Sequence, residues 1–180
     1  MTHRRALIAA AIAAVLAVPG AAIVAAQQQK RASPHETATA TIDGGTVTIT
    51  YGRPYAKGRK IFGGVVPYGQ VWRTGADEAT ILETSKMLML GPLHLNPGKY
   101  SLYSVVDDKT WKLVVNKQVG QWGTEYQQGQ DLGRVDMKVE ALSAPVEQFT
   151  IALAPGPGGK GGVLTMQWET KKATLAFTTM

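Results

Sequence analysis

Thr37–Thr50 reads TATATIDGGTVTIT, and this stretch decides the fold class. Ala38, Ala40 and Ile42 alternate with Thr37, Thr39 and Thr41 before Asp43-Gly44-Gly45 turns the chain. Beyond the turn, Val47 and Ile49 alternate with Thr46, Thr48 and Thr50. A period of two on both sides of an Asp/Gly turn is the pattern of a β-hairpin. The same period recurs outward along the chain. In Arg134–Glu140, Val135, Met137 and Val139 face one way, while Arg134, Asp136, Lys138 and Glu140 face the other. Alternation also groups Trp111, Leu113 and Val115; Phe149, Ile151 and Leu153; Leu164, Met166 and Trp168; and Leu175 with Phe177. Asn96-Pro97-Gly98, Asp107-Asp108-Lys109 and the loop PGPGGKGG (Pro155–Gly162) supply turn chemistry between them. After residue 36 no stretch keeps an apolar helical period across three turns. Roughly ten short strands without helices predict an all-β domain, an antiparallel β-sandwich or jelly roll, with a small β-barrel as the alternative.

Composition narrows the class. The 180 residues are 44% hydrophobic and 18% charged, enough to bury the core of one domain. There is no cysteine, which excludes disulfides, thiolate metal sites, a cysteine nucleophile and a lipid-modified N-terminal cysteine. At the N-terminus, Arg4 and Arg5 precede an apolar run from Ala6 to Val18, broken by Pro19-Gly20. The segment ends Val24-Ala25-Ala26, so residues 1–26 read as a signal peptide cut after Ala26, with an uncleaved anchor as the rival. The general and the twin-arginine export routes both stay open. Cleavage removes Arg4 and Arg5 and no acid, so the formal +6 becomes +4, too mild an excess for a nucleic-acid partner without a concentrated patch. The expected product is periplasmic or extracellular, with no stable membrane span. Residues 27–35 (QQQKRASPH) are expected to be a disordered leader, and 36–180 the folded domain.

Tyr51–Thr80 departs from strand logic. It places Arg53, Lys57, Arg59, Lys60 and Arg73 among Tyr51, Tyr55, Phe62, Tyr68 and Trp72, with Gly58, Gly63, Gly64, Gly69 and Gly75 between them. Only Asp77 and Glu78 oppose these cations, near the end of the stretch. The run Arg53-Pro54-x-x-Lys57-Gly58-Arg59-x-Ile61-Phe62-Gly63-Gly64 is followed by Val66-Pro67-Tyr68-Gly69-x-Val71-Trp72-Arg73-Thr74-Gly75-Ala76-x-Glu78-Ala79-Thr80. Together they resemble the signature of a secreted bacterial family known as domain of unknown function 2911. Pro97–Tyr103 (PGKYSLY), Asn116-Lys117, Gly120-Gln121-Trp122-Gly123 and Glu147–Ile151 (EQFTI) extend the resemblance over about residues 36–178. Asp77 stands where the family pattern usually has Asn, and Pro155–Gly162 is a local expansion. The resemblance implies export and a β-rich fold, and no reaction.

Three readings compete for the central segment. In the first, the domain is a non-catalytic binding module for an anionic or carbohydrate ligand in the cell envelope. Arg53, Lys57, Arg59 and Arg73 would then supply charge, and Tyr68, Trp72 and Trp122 stacking surfaces, with Glu78 beside them. In the second, a hydrolase or lyase acting on a cell-wall or glycan substrate uses Glu78 as acid/base, tuned by Arg73. In the third, the segment meets an envelope protein, and Arg73 with Glu78 is an internal ion pair pinning a long loop. Trp122 on its glycine-rich loop fits either a platform or a lid over the core. Gly156–Gly161 matches G-x-G-x-x-G formally, but a strand follows it where a phosphate-binding fingerprint needs a helix. His94, between two leucines, reads as a surface strand residue, and no spacing calls for a metal or a cofactor.

Overall fold

The computed structural model describes residues 31–180. The signal-peptide reading of residues 1–26 and residues 27–30 of the expected leader lie outside the described residues. Ten strands follow one another: β1 (His35–Ile42), β2 (Gly45–Gly52), β3 (Val71–Trp72), β4 (Thr80–Thr84), β5 (Leu88–Leu90), β6 (Leu93–Leu95), β7 (Gly98–Val106), β8 (Trp111–Asn116), β9 (Asp131–Pro155) and β10 (Gly162–Thr179). They form one sheet in the order β1-β2-β4-β7-β8-β9-β10-β5-β6, with β3 pairing on β7. Every ladder is antiparallel, and the sheet ends on β1 and β6, so it does not close into a barrel. The all-β, sandwich-like class expected from the alternation is what the chain adopts.

The opening hairpin shows how local chemistry sets register. Ile42 pairs with Gly45, leaving Asp43 (φ 48) and Gly44 (φ 75) as the two turn residues. Both lie in the left-handed region that a tight two-residue hairpin turn demands and that Asp and Gly tolerate. The register buries Val47, Ile49 and Tyr51 and turns Thr37, Thr39, Thr46 and Thr50 to solvent.

Two strands are far longer than the alternation suggests, because Arg134–Glu140 and Phe149–Leu153 belong to the single 25-residue β9. The first part of β9 pairs with β8 and the later part with β10. Within the β10-paired part, Glu169 (φ 49) faces Val146 and Lys171 faces Ala141, so residues 142–145 of β9 stand opposite Thr170 alone. Irregularities of this kind bend and twist a strand. The later part of β9 meets β2: the Tyr51 hydroxyl accepts the Ile151 N–H at 2.9 Å, and Phe149 N–H donates to Pro54 O at 2.9 Å. One core unites both parts of the sheet. In it Trp72 stacks on Trp168 (5.9 Å, 22°) and meets Phe149 and Trp111 edge-on.

The central segment is bolted to this core through buried Ile61, Phe62, Val66 and Trp72, and β3 gives it one short ladder with Val105 and Ser104. The leader boundary differs from the expected one. Residues 31–35 carry fixed contacts, and β1 begins at His35, because the Asp77 carboxylate accepts the backbone N–H groups of Ala32 and Ser33. The Pro155–Gly162 segment is the β9–β10 hairpin loop, closed by Gly156 N–H on Gly161 O at 2.9 Å.

Candidate functional site

The site is built where the end of β2 packs backbone to backbone on the loop after β3. A Cβ at Gly52 would lie 2.0 Å from Ala76 O, so only glycine permits this approach. The loop then takes an unusual path, with Thr74 (φ 52), Gly75 (φ 154) and Asp77 (φ 64) all at positive φ. A left-handed β-branched residue persists only where its surroundings over-determine it. Thr74 is buried; its hydroxyl meets Ser104 Oγ at 2.8 Å, and its carbonyl accepts Thr80 Oγ1 at 2.7 Å. The backbone that carries Arg73 is therefore held rigidly.

Above Trp72 and Trp168 opens a cavity of about 830 Å³. Its walls come from residues 54–59, the loop after β3, residues 123–126 and the segment at Ala32-Ser33. Three cationic side chains line it: Lys57, Arg59 and Arg73. Arg59 is oriented by two backbone carbonyls, donating from Nε to Ala56 O (3.0 Å) and from Nη2 to Tyr55 O (2.7 Å). Arg73 is half-buried, and its polar contact is a long 3.4 Å one from Nε to Gly75 O. Its stem lies against Gly123, where a Cβ would sit 2.6 Å from Arg73 Cδ. Among the described residues, none of these three cations has a carboxylate at ion-pair distance.

Asp77 is the acid lining the cavity, and its oxygens take the Ala32 and Ser33 N–H groups at 3.1–3.2 Å. Its left-handed φ is one that both Asp and Asn adopt, so the departure from the usual Asn fits the same backbone. Exposed Tyr55 stands at the rim, and Tyr103 and Tyr126 line the wall with ring centroids 4.8 Å apart. Gln121 Nε2 donates to Tyr103 OH at 3.0 Å, while Tyr126 OH donates to Asp131 Oδ2 at 2.6 Å. Burial, reinforced by the hydrogen bond to Asp131, pushes the Tyr126 phenol up to about 12.

The structure thus gathers Lys57, Arg59, Trp72 and Arg73 at one cavity and places the other sequence candidates elsewhere. Arg53 is a stitch between β2 and β9, donating to Phe149 O (3.1 Å), Thr150 Oγ1 (2.8 Å) and Glu36 Oε2 (2.6 Å). Tyr68 is exposed, with Lys171 Nζ 5.4 Å from its ring centre. Trp122 is half-buried, and its backbone bridges that of Glu78. Glu78 does not pair with Arg73; it meets Arg31 at 2.8 Å and His35 at 3.1 Å. Burial would raise its pKa, but its own backbone N–H, Arg31 and His35 outweigh that and hold the carboxyl below its ordinary value. That suits a standing counter-ion, whereas a general acid at neutral pH needs the opposite shift. Sequence reasoning passed over Tyr103 and Tyr126 as parts of the wall, and Gln121 as the residue that holds Tyr103. Their signal lay in PGKYSLY and in the Gly120–Gly123 motif: Ala79 N–H donates to Gln121 O at 3.2 Å and Gly123 N–H to Asp77 O at 2.9 Å, clamping that loop beneath Arg73.

These features define a class: an all-β, antiparallel domain whose long inter-strand loop frames an open, cation-lined cavity. Residues 33–177 match the family described as "Protein of unknown function (DUF2911)", and the chain belongs to that family. Comparison with curated proteins and with solved structures finds no match.

Proposed function

We propose that this is an exported, non-catalytic binding module whose cavity takes a small anionic ligand, an acidic sugar above all, in the cell envelope. One observation carries the reading. Lys57, Arg59 and Arg73 converge on a single cavity with no carboxylate partner among the described residues, whereas Arg53, from the same motif, is fully engaged. Lys57 and Arg59 are exposed and Arg73 is half-buried, so an anion entering the cavity meets accessible donors, and the planar fork of Arg suits carboxylate, phosphate or sulfate oxygens. The volume of about 830 Å³ lies in the range of small-molecule sites, and the exposed rim residue Tyr55 offers a face for a sugar ring. Export rests on the basic head, apolar run and Ala26 cleavage pattern of residues 1–26. The test is a thermal-shift series on the processed chain with glucuronate, N-acetylmuramate, citrate and inorganic phosphate, with glucose as the neutral control. A concentration-dependent rise with the acids, lost in Arg73→Gln, supports the reading. Equal behaviour of glucose and glucuronate overturns it.

A further inference from the structure

We infer that residues 31–35 form a strap whose docking on Asp77 keeps the cavity's cations free for the anion, so that strap closure and anion binding reinforce each other. This rests on the binding reading above. The strap is part of the cavity wall through Ala32 and Ser33, yet Arg31, Ala32 and Pro34 are exposed. Polar contacts hold it in place of apolar burial. Ala32 N–H reaches both Asp77 oxygens, Ser33 N–H reaches Oδ2, Arg31 Nε meets Glu78, and Pro34 O accepts Arg53 N–H at 2.7 Å. His35 Nε2 adds contacts of 3.1 Å to Glu78 and 3.8 Å to Asp77. A segment held this way opens at far lower cost than the core.

Opening changes the charge balance of the cavity. With the strap closed, the Asp77 carboxylate is consumed by backbone N–H groups. With the strap open, that carboxylate has lost its donors on a cavity wall it shares with Arg73. The two residues flank Gly123, whose Cβ position would lie 2.6 Å from Arg73 Cδ and 2.8 Å from the backbone carbonyl oxygen of Asp77. The freed carboxylate then pairs with Arg73, and an incoming anion has to displace it. A ligand that favours the closed state must itself be favoured by closure, because coupling free energies are reciprocal.

The experiment uses the full processed chain and glucuronate. Ala32→Pro with Ser33→Pro removes both N–H donors from Asp77. Asp77→Gly removes the carboxylate while keeping a residue at ease with positive φ. Expected is a loss of glucuronate affinity of about fivefold or more in the double-proline variant, at the lower end of typical coupling. Adding Asp77→Gly should return affinity to near that of the wild type. In the wild-type chain, saturating glucuronate should slow amide hydrogen exchange at Ala32 and Ser33. Unchanged affinity in the double-proline variant, or no recovery on adding Asp77→Gly, overturns the coupling. Binding without any change in strap exchange also removes the coupling and leaves the binding reading standing. No binding of any of the acids to the wild-type chain removes both.

Discussion

Arg53→Ala separates a structural cation from the three at the cavity. The Arg53 side chain is 27% exposed and donates to Phe149 O, Thr150 Oγ1 and Glu36 Oε2. Hydrogen bonds from a charged donor to the first two are worth about 1 kcal/mol each, toward the low side because water reaches part of the group. The pair with the more exposed Glu36 adds about 0.5 kcal/mol. Loss of all three therefore costs roughly 2–3 kcal/mol. For a domain of this size each kcal/mol moves Tm by about 2–4 °C, so the melting point should fall by about 5–10 °C. Arg73→Gln keeps the stem against Gly123 and gives up only one 3.4 Å contact, so its Tm should stay close to wild type while glucuronate binding is lost. Thermal unfolding followed by far-ultraviolet circular dichroism reads both variants. If Arg53→Ala melts with the wild type and loses binding instead, Arg53 is a ligand cation and the stitch between β2 and β9 is wrongly described.

Gly123→Ala introduces a methyl 2.6 Å from Arg73 Cδ and 2.8 Å from Asp77 O; crowding of this kind costs about 1–3 kcal/mol, read as a lower urea midpoint together with weaker glucuronate binding. Tyr55→Ala, at an exposed rim residue, should weaken binding with a melting point unchanged within error, whereas Trp72→Leu, in the aromatic core, should lower the urea midpoint markedly. Tyr126 gives a pH signature. Its folded pKa of about 12 lies above the unfolded value of about 10, so the unfolded chain releases that proton first. Its contribution to stability is fully present below pH of about 10 and is lost as pH rises toward about 12. Phenolate absorbance should therefore include an ionisation near pH 12 from Tyr126, which Asp131→Asn should bring down.

The hairpin at Asp43-Gly44 and the inward sets Trp111/Leu113/Val115 and Leu164/Met166/Trp168 were legible because alternation is a local property that burial on one face writes into the chain. The continuity of β9 was not, since the extruded residues before Val146 interrupt the alternation while the ladder resumes beyond them. At the site, the cluster of Lys57, Arg59 and Arg73 showed in the motif, but which cations are free depends on partners far away in sequence. Arg53 meets Phe149 and Thr150, nearly a hundred residues on. Glu78, adjacent in sequence to the site's own Asp77, turns instead to Arg31 and His35. Those pairings follow from topology, as does the role of Gly123, which only the approach of Arg73 reveals.

The central claim is that Lys57, Arg59 and Arg73 form one anion site. Isothermal titration of glucuronate into the processed wild-type chain and into Arg73→Gln, at low and at high salt, tests it most directly. Expected is saturable one-to-one binding to the wild type that weakens with salt and is absent from a folded Arg73→Gln. Equal affinities in the two chains, or binding indifferent to salt, would contradict it.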